Sequence, residues 1–389
     1  MTSAWLDSLR HGAIAALVAM FACGSALAQD DVSPAELNMA KPGAVLRIWP
    51  LEGGVFAGYK GYRVLYRSTG MKDEPIAVSG AVIFPAGGGH GRSRPVVAWA
   101  HPTTGVVGRC APSLLPDLST TIQGIDRFVD AGYVVVAADY AGLGAPGTHP
   151  YLVGKSAART VLDSVRAARF MKDTHAGERI VVWGHSQGGH AALFTGAEAA
   201  SYAPELKLLG VAAAAPATNL IDLFESDRAT SSGRSLTVMA LHSWSRVFGV
   251  PLSEFVAPQA ERSFERLAND CIETIEGFLK EDDDERALSR QFLTADPAKD
   301  ARIRAIMEAN STGLLPAGMP VFVAQGTADD LVRPAITRAY VEKLCKGGAK
   351  VKLHAMAGVG HLTAGRDGAN AAFDWMQGLF EGRVPPHDC

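Results

Sequence analysis

The sequence predicts an α/β fold: a mostly parallel, doubly wound sheet with one helical insertion. Three observations predict it. Short apolar runs bounded by turn residues recur along the chain, stretches of helical periodicity separate several of them, and the alternation stops once, between Thr218 and about Pro316. An unbroken apolar run is the pattern of a strand buried on both faces, and parallel neighbours need a crossover of a dozen or more residues, usually a helix.

In chain order, residues 1–28 read as a signal peptide. Arg10 and His11 precede the apolar run 13–22, and Ala26-Leu27-Ala28 places small residues where a signal peptidase cuts, leaving Gln29 first. That run is shorter than the roughly 20 residues a bilayer requires, and no later run is long enough, so a secreted or periplasmic protein without a transmembrane segment is expected. Residues 62–66 and 76–84 read as an antiparallel edge hairpin. Buried strands are expected over 94–100, 132–138, 180–183, 208–215, 321–325 and 351–355, with helices over 119–131, 155–172, 188–200 and 334–346. The core is thus 29–217 with 317–389. The insertion, 218–316, reads as helices over 236–247, 264–279 and 287–292, with the acidic run 281–285 as a solvated turn. The stripe Leu236, Val238, Leu241, Trp244 and Phe248 is read as core, with the lining of an acyl pocket as the alternative.

Composition narrows the function. Of 389 residues, 48% are hydrophobic, and 37 Lys+Arg stand against 40 Asp+Glu for a net charge of −3, which leaves no basic footprint for nucleic acid. Cys23 departs with the signal peptide, leaving Cys110, Cys271, Cys345 and Cys389, an even set suited to two disulfides in an oxidising compartment. Spacing permits any of three pairings. No cysteine sits in CxxC or His-rich spacing, so neither metal nor cofactor is expected. The Gly-rich piece 86–91 reads as a surface loop, because no Lys-Ser/Thr follows it at phosphate-loop spacing.

Chemistry-bearing residues collect at the carboxyl ends of three expected strands. At the first, an apolar run enters Gly184-His185-Ser186-Gln187-Gly188 and then an Ala-rich helix. A serine on a sharp strand-to-helix turn exposes its hydroxyl, and the neighbouring backbone packs too closely for Cβ atoms at the glycines. Ser186 is the candidate nucleophile, and the Gln187 N–H, at a helix N-terminus, the candidate oxyanion donor. At the second, the run 321–325 ends in a turn carrying Asp329 and Asp330. A serine hydroxyl needs a base to attack, and that imidazole needs a carboxylate to hold its tautomer and charge. Asp329 takes this role, with Asp330 as the alternative. At the third, Gly358 and Gly360 free the loop that carries His361 toward Ser186. The order Ser186, Asp329, His361 is that of α/β-hydrolases, not of chymotrypsin or subtilisin. A second oxyanion donor is expected on the loop 101–105; Pro102 has no N–H, so Thr103 is assigned. The other histidines (His101, His149, His185, His190, His242 and His354) read as structural, with His149 and His242 as candidates for substrate contact.

These residues carry a family resemblance. Asp139-Tyr140-Ala141-Gly142-Leu143-Gly144, Gly147-Thr148-His149-Pro150-Tyr151, the helix over 157–166, Gly184-His185-Ser186-Gln187-Gly188 and Cys110-Ala111-Pro112-Ser113 together resemble bacterial members of the secretory lipase family, α/β-hydrolases similar to Candida lipase A. The resemblance runs from about Trp99 to the C-terminus. It implies a carboxylic ester hydrolase with a helical cap over the site and a metal-free Ser-Asp-His triad. Carried onto matching positions, it also implies disulfides Cys110–Cys271 and Cys345–Cys389. Pro102 departs from the His-Gly common at the oxyanion loop of such proteins. The expected substrate is a small-molecule, lipid or polymer ester, cleaved through an acyl-enzyme. A serine peptidase or acyltransferase would use the same three residues. A non-catalytic binding protein is the remaining class, disfavoured because all three residue types stand in order.

Overall fold

The structure is a computed structural model that describes residues 32–51, 55–87, 93–227, 230–272, 288 and 292–389. The expected signal peptide, the acidic run 281–285, most of the Gly-rich loop 86–91, residues 273–279 and most of 287–292 lie outside the described residues; the helix expected over 264–279 ends at Asn269, because Asp270 turns to extended backbone.

Among the described residues, nine strands form one sheet in the order β1-β2-β3-β5-β4-β6-β7-β8-β9. They are β1 (Val45–Pro50), β2 (Tyr59–Thr69), β3 (Pro75–Pro85), β4 (Arg94–Ala100), β5 (Val134–Ala138), β6 (Ala176–His185), β7 (Lys207–Ala214), β8 (Pro320–Gly326) and β9 (Lys350–Met356). β1, β2, β3 and β5 pair antiparallel in turn, and every pairing from β5 through β4 to β9 is parallel. The helices are α1 (Pro34–Met39), α2 (Leu118–Thr121), α3 (Ile125–Asp130), α4 (Gly154–Phe170), α5 (Gln187–Tyr202), α6 (Leu220–Asp227), α7 (Ser231–Phe248), α8 (Glu261–Asn269), α9 (Ala301–Ala309), α10 (Pro334–Lys346) and α11 (Ala364–Phe380).

The two-sided burial follows from the pleat, which sends successive side chains to opposite faces. In β4, Val96, Ala98 and Ala100 join a cluster with Val161 and Val165 of α4, Leu193 of α5 and Leu344 of α10. Val97 and Trp99 join the opposite cluster, with Phe128 of α3 and Met376 of α11. Each buried aliphatic side chain contributes roughly 1.5–3 kcal/mol, so both layers are held by the same strands.

Three further sequence expectations need correction. The helix expected over 119–131 is two, α2 and α3, because Gly124 adopts a left-handed φ of 83° between them. The edge hairpin has a third strand, β1, whose half-exposed residues and polar Arg47 give no apolar run. The short strand expected over 180–183 is the middle of β6, which begins at Ala176.

Between β7 and β8 the described elements are helical, α6 to α9. The segment leaves and returns at one place: Thr312 N donates to the Thr218 carbonyl at 2.8 Å, and Leu220 N donates to Ser311 Oγ at 3.0 Å. Disulfides join Cys110 to Cys271 and Cys345 to Cys389. The second pins the C-terminus beside β9, where Asp388 N also donates to the Val351 carbonyl at 2.7 Å.

Candidate active site

The sheet order reverses at β4, with β5 on one side and β6 on the other. Crevices at such switch points, outside the carboxyl ends of the strands, are where open α/β sheets bind ligands. β6 delivers Ser186 there. Its backbone has φ 56° and ψ −116°, a region costing an L-residue about 1–3 kcal/mol. Neighbouring bonds hold it: Ser186 N donates to the Ala214 carbonyl at 2.9 Å and His190 N to the Ser186 carbonyl at 3.0 Å. Both flanking glycines are required by close approach. A Cβ on Gly188 would land on the Ala100 carbonyl oxygen, and one on Gly184 on the Gly188 carbonyl oxygen.

The turns after β8 and β9 bring Asp329 and His361 to the same point. His361 Nε2 lies 2.9 Å from Ser186 Oγ, and His361 Nδ1 lies 2.9 Å from Asp329 Oδ2. The Asp329 side chain is fully buried and that of His361 is 5% exposed. Asp329 Oδ1 accepts Leu331 N at 3.1 Å and Val332 N at 2.7 Å, while Asp330 is exposed and makes no such contact with His361. Gln325, unremarked in the sequence, completes the arrangement. Its Nε2 donates to Asp329 Oδ2 at 3.1 Å and to the Val332 carbonyl at 3.1 Å, and its Oε1 accepts Thr337 Oγ1 at 2.6 Å. The available signal was a lone amide at the end of an otherwise apolar run.

Thr103 follows β4 and lines the cavity that contains Ser186. Its hydroxyl pairs with Tyr151 Oη at 2.8 Å. Gln187 opens α5, where a helix has no internal acceptor for its first N–H groups. The Thr103 loop is tied to the insertion: Ile272 N donates to the Thr104 carbonyl at 2.9 Å, and the Cys110–Cys271 bridge lies beside it. Gly105, with φ 125°, is needed there because a Cβ would strike Cys110 Sγ. Buried Asp139 anchors the other side, accepting Ser113 N at 2.9 Å and Ser79 Oγ at 2.6 Å.

The remaining histidines sit mostly in the framework. His185 Nε2 contacts the His361 carbonyl at 2.9 Å, His190 Nε2 the Asn310 carbonyl at 2.8 Å, and His149 Nδ1 the Ala141 carbonyl at 2.9 Å. His149 Nε2 faces Gln187 Nε2 at 3.2 Å, so His149 supports the serine turn from behind. His242 is buried beside Glu265, and His354 stacks on Phe322.

Burial pushes His149 and His190 down to about 4 and His185 to about 3, and lowers His101 as well. The unfolded chain takes up these protons near pH 6.5, so it binds more protons than the fold in the window below that value and acid lowers stability. The contribution is complete above pH 6.5. It falls by roughly 1.4 kcal/mol per pH unit for each ring until the folded values are reached. The Tm is expected to drop steeply between pH 6.5 and 4.5, and His190→Gln to make that drop shallower. A Tm that stays level across this range in scanning calorimetry would exclude a role for the buried imidazoles.

Two cavities meet at Ser186. One, of about 260 Å³, is lined by His101, Thr103, Gln123, Ser186, His361 and Leu362. The other, of about 50 Å³, is lined by Ser186, Gln187, Leu220, Phe224, Leu236 and Val332. The apolar stripe on α7 divides between the two readings: Val238, Leu241 and Trp244 are core, whereas Leu236 lines both cavities and Phe248 is 36% exposed. Leu236 sits one turn nearer the helix start, where α7 passes over the site.

Comparison with known proteins bears on the family and the fold. A family model described as secretory lipase matches residues 117–387. The chain is 28% identical over 309 residues to Lipase 5 of Candida albicans, covering 72% of this chain and 64% of that protein. The structure is similar to Candida antarctica lipase A in its closed state, with a TM-score of 0.75 at 19% identity over 92% of this chain and 86% of the other. It is also similar to the rice cell wall degrading esterase LipA of Xanthomonas oryzae, with a TM-score of 0.71 at 19% identity over 88% of this chain and all of that one (100%). The shared architecture is the α/β-hydrolase fold.

Proposed function

The chain belongs to the secretory lipase family, and from that membership we propose that it is an exported carboxylic ester hydrolase in which Ser186 is the nucleophile, His361 the general base and Asp329 its partner. One observation carries the reading. Ser186 Oγ, His361 Nε2, His361 Nδ1 and Asp329 Oδ2 form a continuous hydrogen-bonded line, each contact 2.9 Å, opening on a cavity. Export is supported by the signal-like residues 1–28 and by two disulfides, which persist in oxidising compartments. The helices over 218–316 act as a cap.

In this mechanism His361 takes the Ser186 proton as Oγ attacks the ester carbonyl, and Asp329 stabilises the imidazolium. The N–H groups of Gln187 and Thr103 receive the oxyanion. His361 Nε2 then protonates the departing alcohol. Water, deprotonated by the same nitrogen, releases the acid from Ser186.

The test is hydrolysis of p-nitrophenyl esters from acetate to palmitate by the mature protein, with a fluorophosphonate probe in parallel. Ester cleavage is expected, with the probe attached to Ser186 by mass spectrometry. Silence in both assays would overturn the proposal.

Gln325 is expected to matter through Asp329. Gln325→Leu keeps the bulk but removes the donor to Asp329 Oδ2 and leaves the buried Thr337 hydroxyl without its acceptor, a loss of about 1–3 kcal/mol. Steady-state kinetics should show kcat reduced by about ten- to a hundredfold with little change in KM. An unchanged kcat would show that Asp329 holds its place without Gln325.

A further inference from the structure

The proposed reaction needs an acyl side and an alcohol side, and the two cavities at Ser186 differ enough to be assigned. Resting on that reading, we propose that this protein selects esters with a small acyl group and a bulky alcohol, the acyl group seated beneath α6 and α7. The assignment comes from the proton. The leaving oxygen must receive it from His361 Nε2, and His361 lines the larger cavity together with Leu362, whereas among its described lining residues the smaller cavity has no histidine or carboxylate, and its one titratable group, the Tyr151 hydroxyl, is paired with Thr103 Oγ1 at 2.8 Å. The alcohol therefore departs through the larger cavity, and the acyl carbon chain points into the smaller.

Size then sets the substrate class. The smaller cavity holds about 50 Å³ against about 260 Å³ for the larger. At about 10–15 Å³ per water-sized position, it holds roughly three to five chain atoms, while the larger cavity approaches the ~300 Å³ at which drug-sized ligands begin to fit.

The wall of the smaller cavity is built not to yield. Phe224 stacks on Trp244 with ring centroids 5.5 Å apart and an interplanar angle of 21°. Trp244 is fully buried, and its Nε1 donates to the Tyr151 carbonyl at 2.9 Å. Leu220 and Val332, on either side, are 0% and 3% exposed. Lengthening this cavity requires moving a packed aromatic pair, not turning a free side chain.

The experiment compares kcat/KM on p-nitrophenyl acetate, butyrate, octanoate and palmitate, and separately on ethyl and 1-naphthyl butyrate, for the full chain after signal removal. The wild type is expected to peak at acetate or butyrate, to fall about tenfold or more by octanoate, and to favour the naphthyl ester. Phe224→Ala, and the milder Phe224→Leu in case the first misfolds, should raise the octanoate-to-butyrate ratio about tenfold. Leu115→Trp, in the larger cavity, should instead lower the naphthyl-to-ethyl ratio and leave the acyl ratio alone. A wild-type maximum at octanoate or longer overturns the inference. So do Phe224 variants that change the alcohol ratio in place of the acyl ratio. Labelling of Ser186 by a fluorophosphonate in the same samples separates the two failures: a labelled enzyme that prefers long acyl chains sinks only this inference, whereas an unlabelled, inactive protein sinks the proposed function beneath it.

Discussion

Ser186→Ala should lower kcat by roughly a millionfold, because the nucleophile and its base act as a unit and removal of either leaves only binding and oxyanion stabilisation. The fold should survive. Alanine at φ 56° pays no more strain than serine does, the turn's backbone bonds to Ala214 and His190 are kept, and only the Oγ contact to His361 Nε2 disappears. The measurement is paired: turnover of the best p-nitrophenyl ester, and Tm by calorimetry. Loss of turnover with Tm within about 2–3 °C of wild type assigns the effect to chemistry, since ~1 kcal/mol moves Tm by only a few degrees in a chain this long. Residual activity above about one part in a thousand, well beyond the expected remainder, would mean that another group attacks.

Asp329→Asn should cost about 10⁴-fold in kcat, the scale of a triad held in the wrong tautomer. Geometry explains why an amide fails. The Leu331 and Val332 N–H groups require an acceptor at Oδ1, so the amide nitrogen must take the Oδ2 position. There it donates to His361 Nδ1 and forces the ring proton onto Nε2, where the ring can no longer accept from Ser186. It also meets Gln325 Nε2, donor against donor. Asp330→Asn is the control: Asp330 is exposed, and its replacement should stay within a few-fold of wild type, as surface changes away from such features do. Equal losses from the two variants would reverse the assignment made between these neighbours.

The parallel sheet was legible because each buried strand is an unbroken apolar run and each crossover a helix of ordinary length; β4 and α10 have the very bounds read from the sequence. Edge strand β1 was not legible, since its residues are only partly buried and Arg47 breaks any apolar run. The break between α2 and α3 was hidden because Gly124 declares itself only when its φ turns positive.

Ser186, Asp329 and His361 could be singled out from the sequence because each lies just past a strand, in a turn whose glycines mark tight backbone; such local signals survive in one dimension. Their 2.9 Å contacts, across separations of 175 and 32 residues, belong to the tertiary structure. So do Gln325 behind Asp329, His149 behind Gln187 and the division of the site by Leu236. Spacing left three cysteine pairings open, and the pairing the family resemblance implied is made by a fold that sets Cys110 beside Cys271 and Cys345 beside Cys389. The physical reason is common to all of these. Sequence periodicity reports how a segment meets water on its own faces, whereas which side chains face one another across the site depends on how the strands order and how the inserted helices return to the sheet.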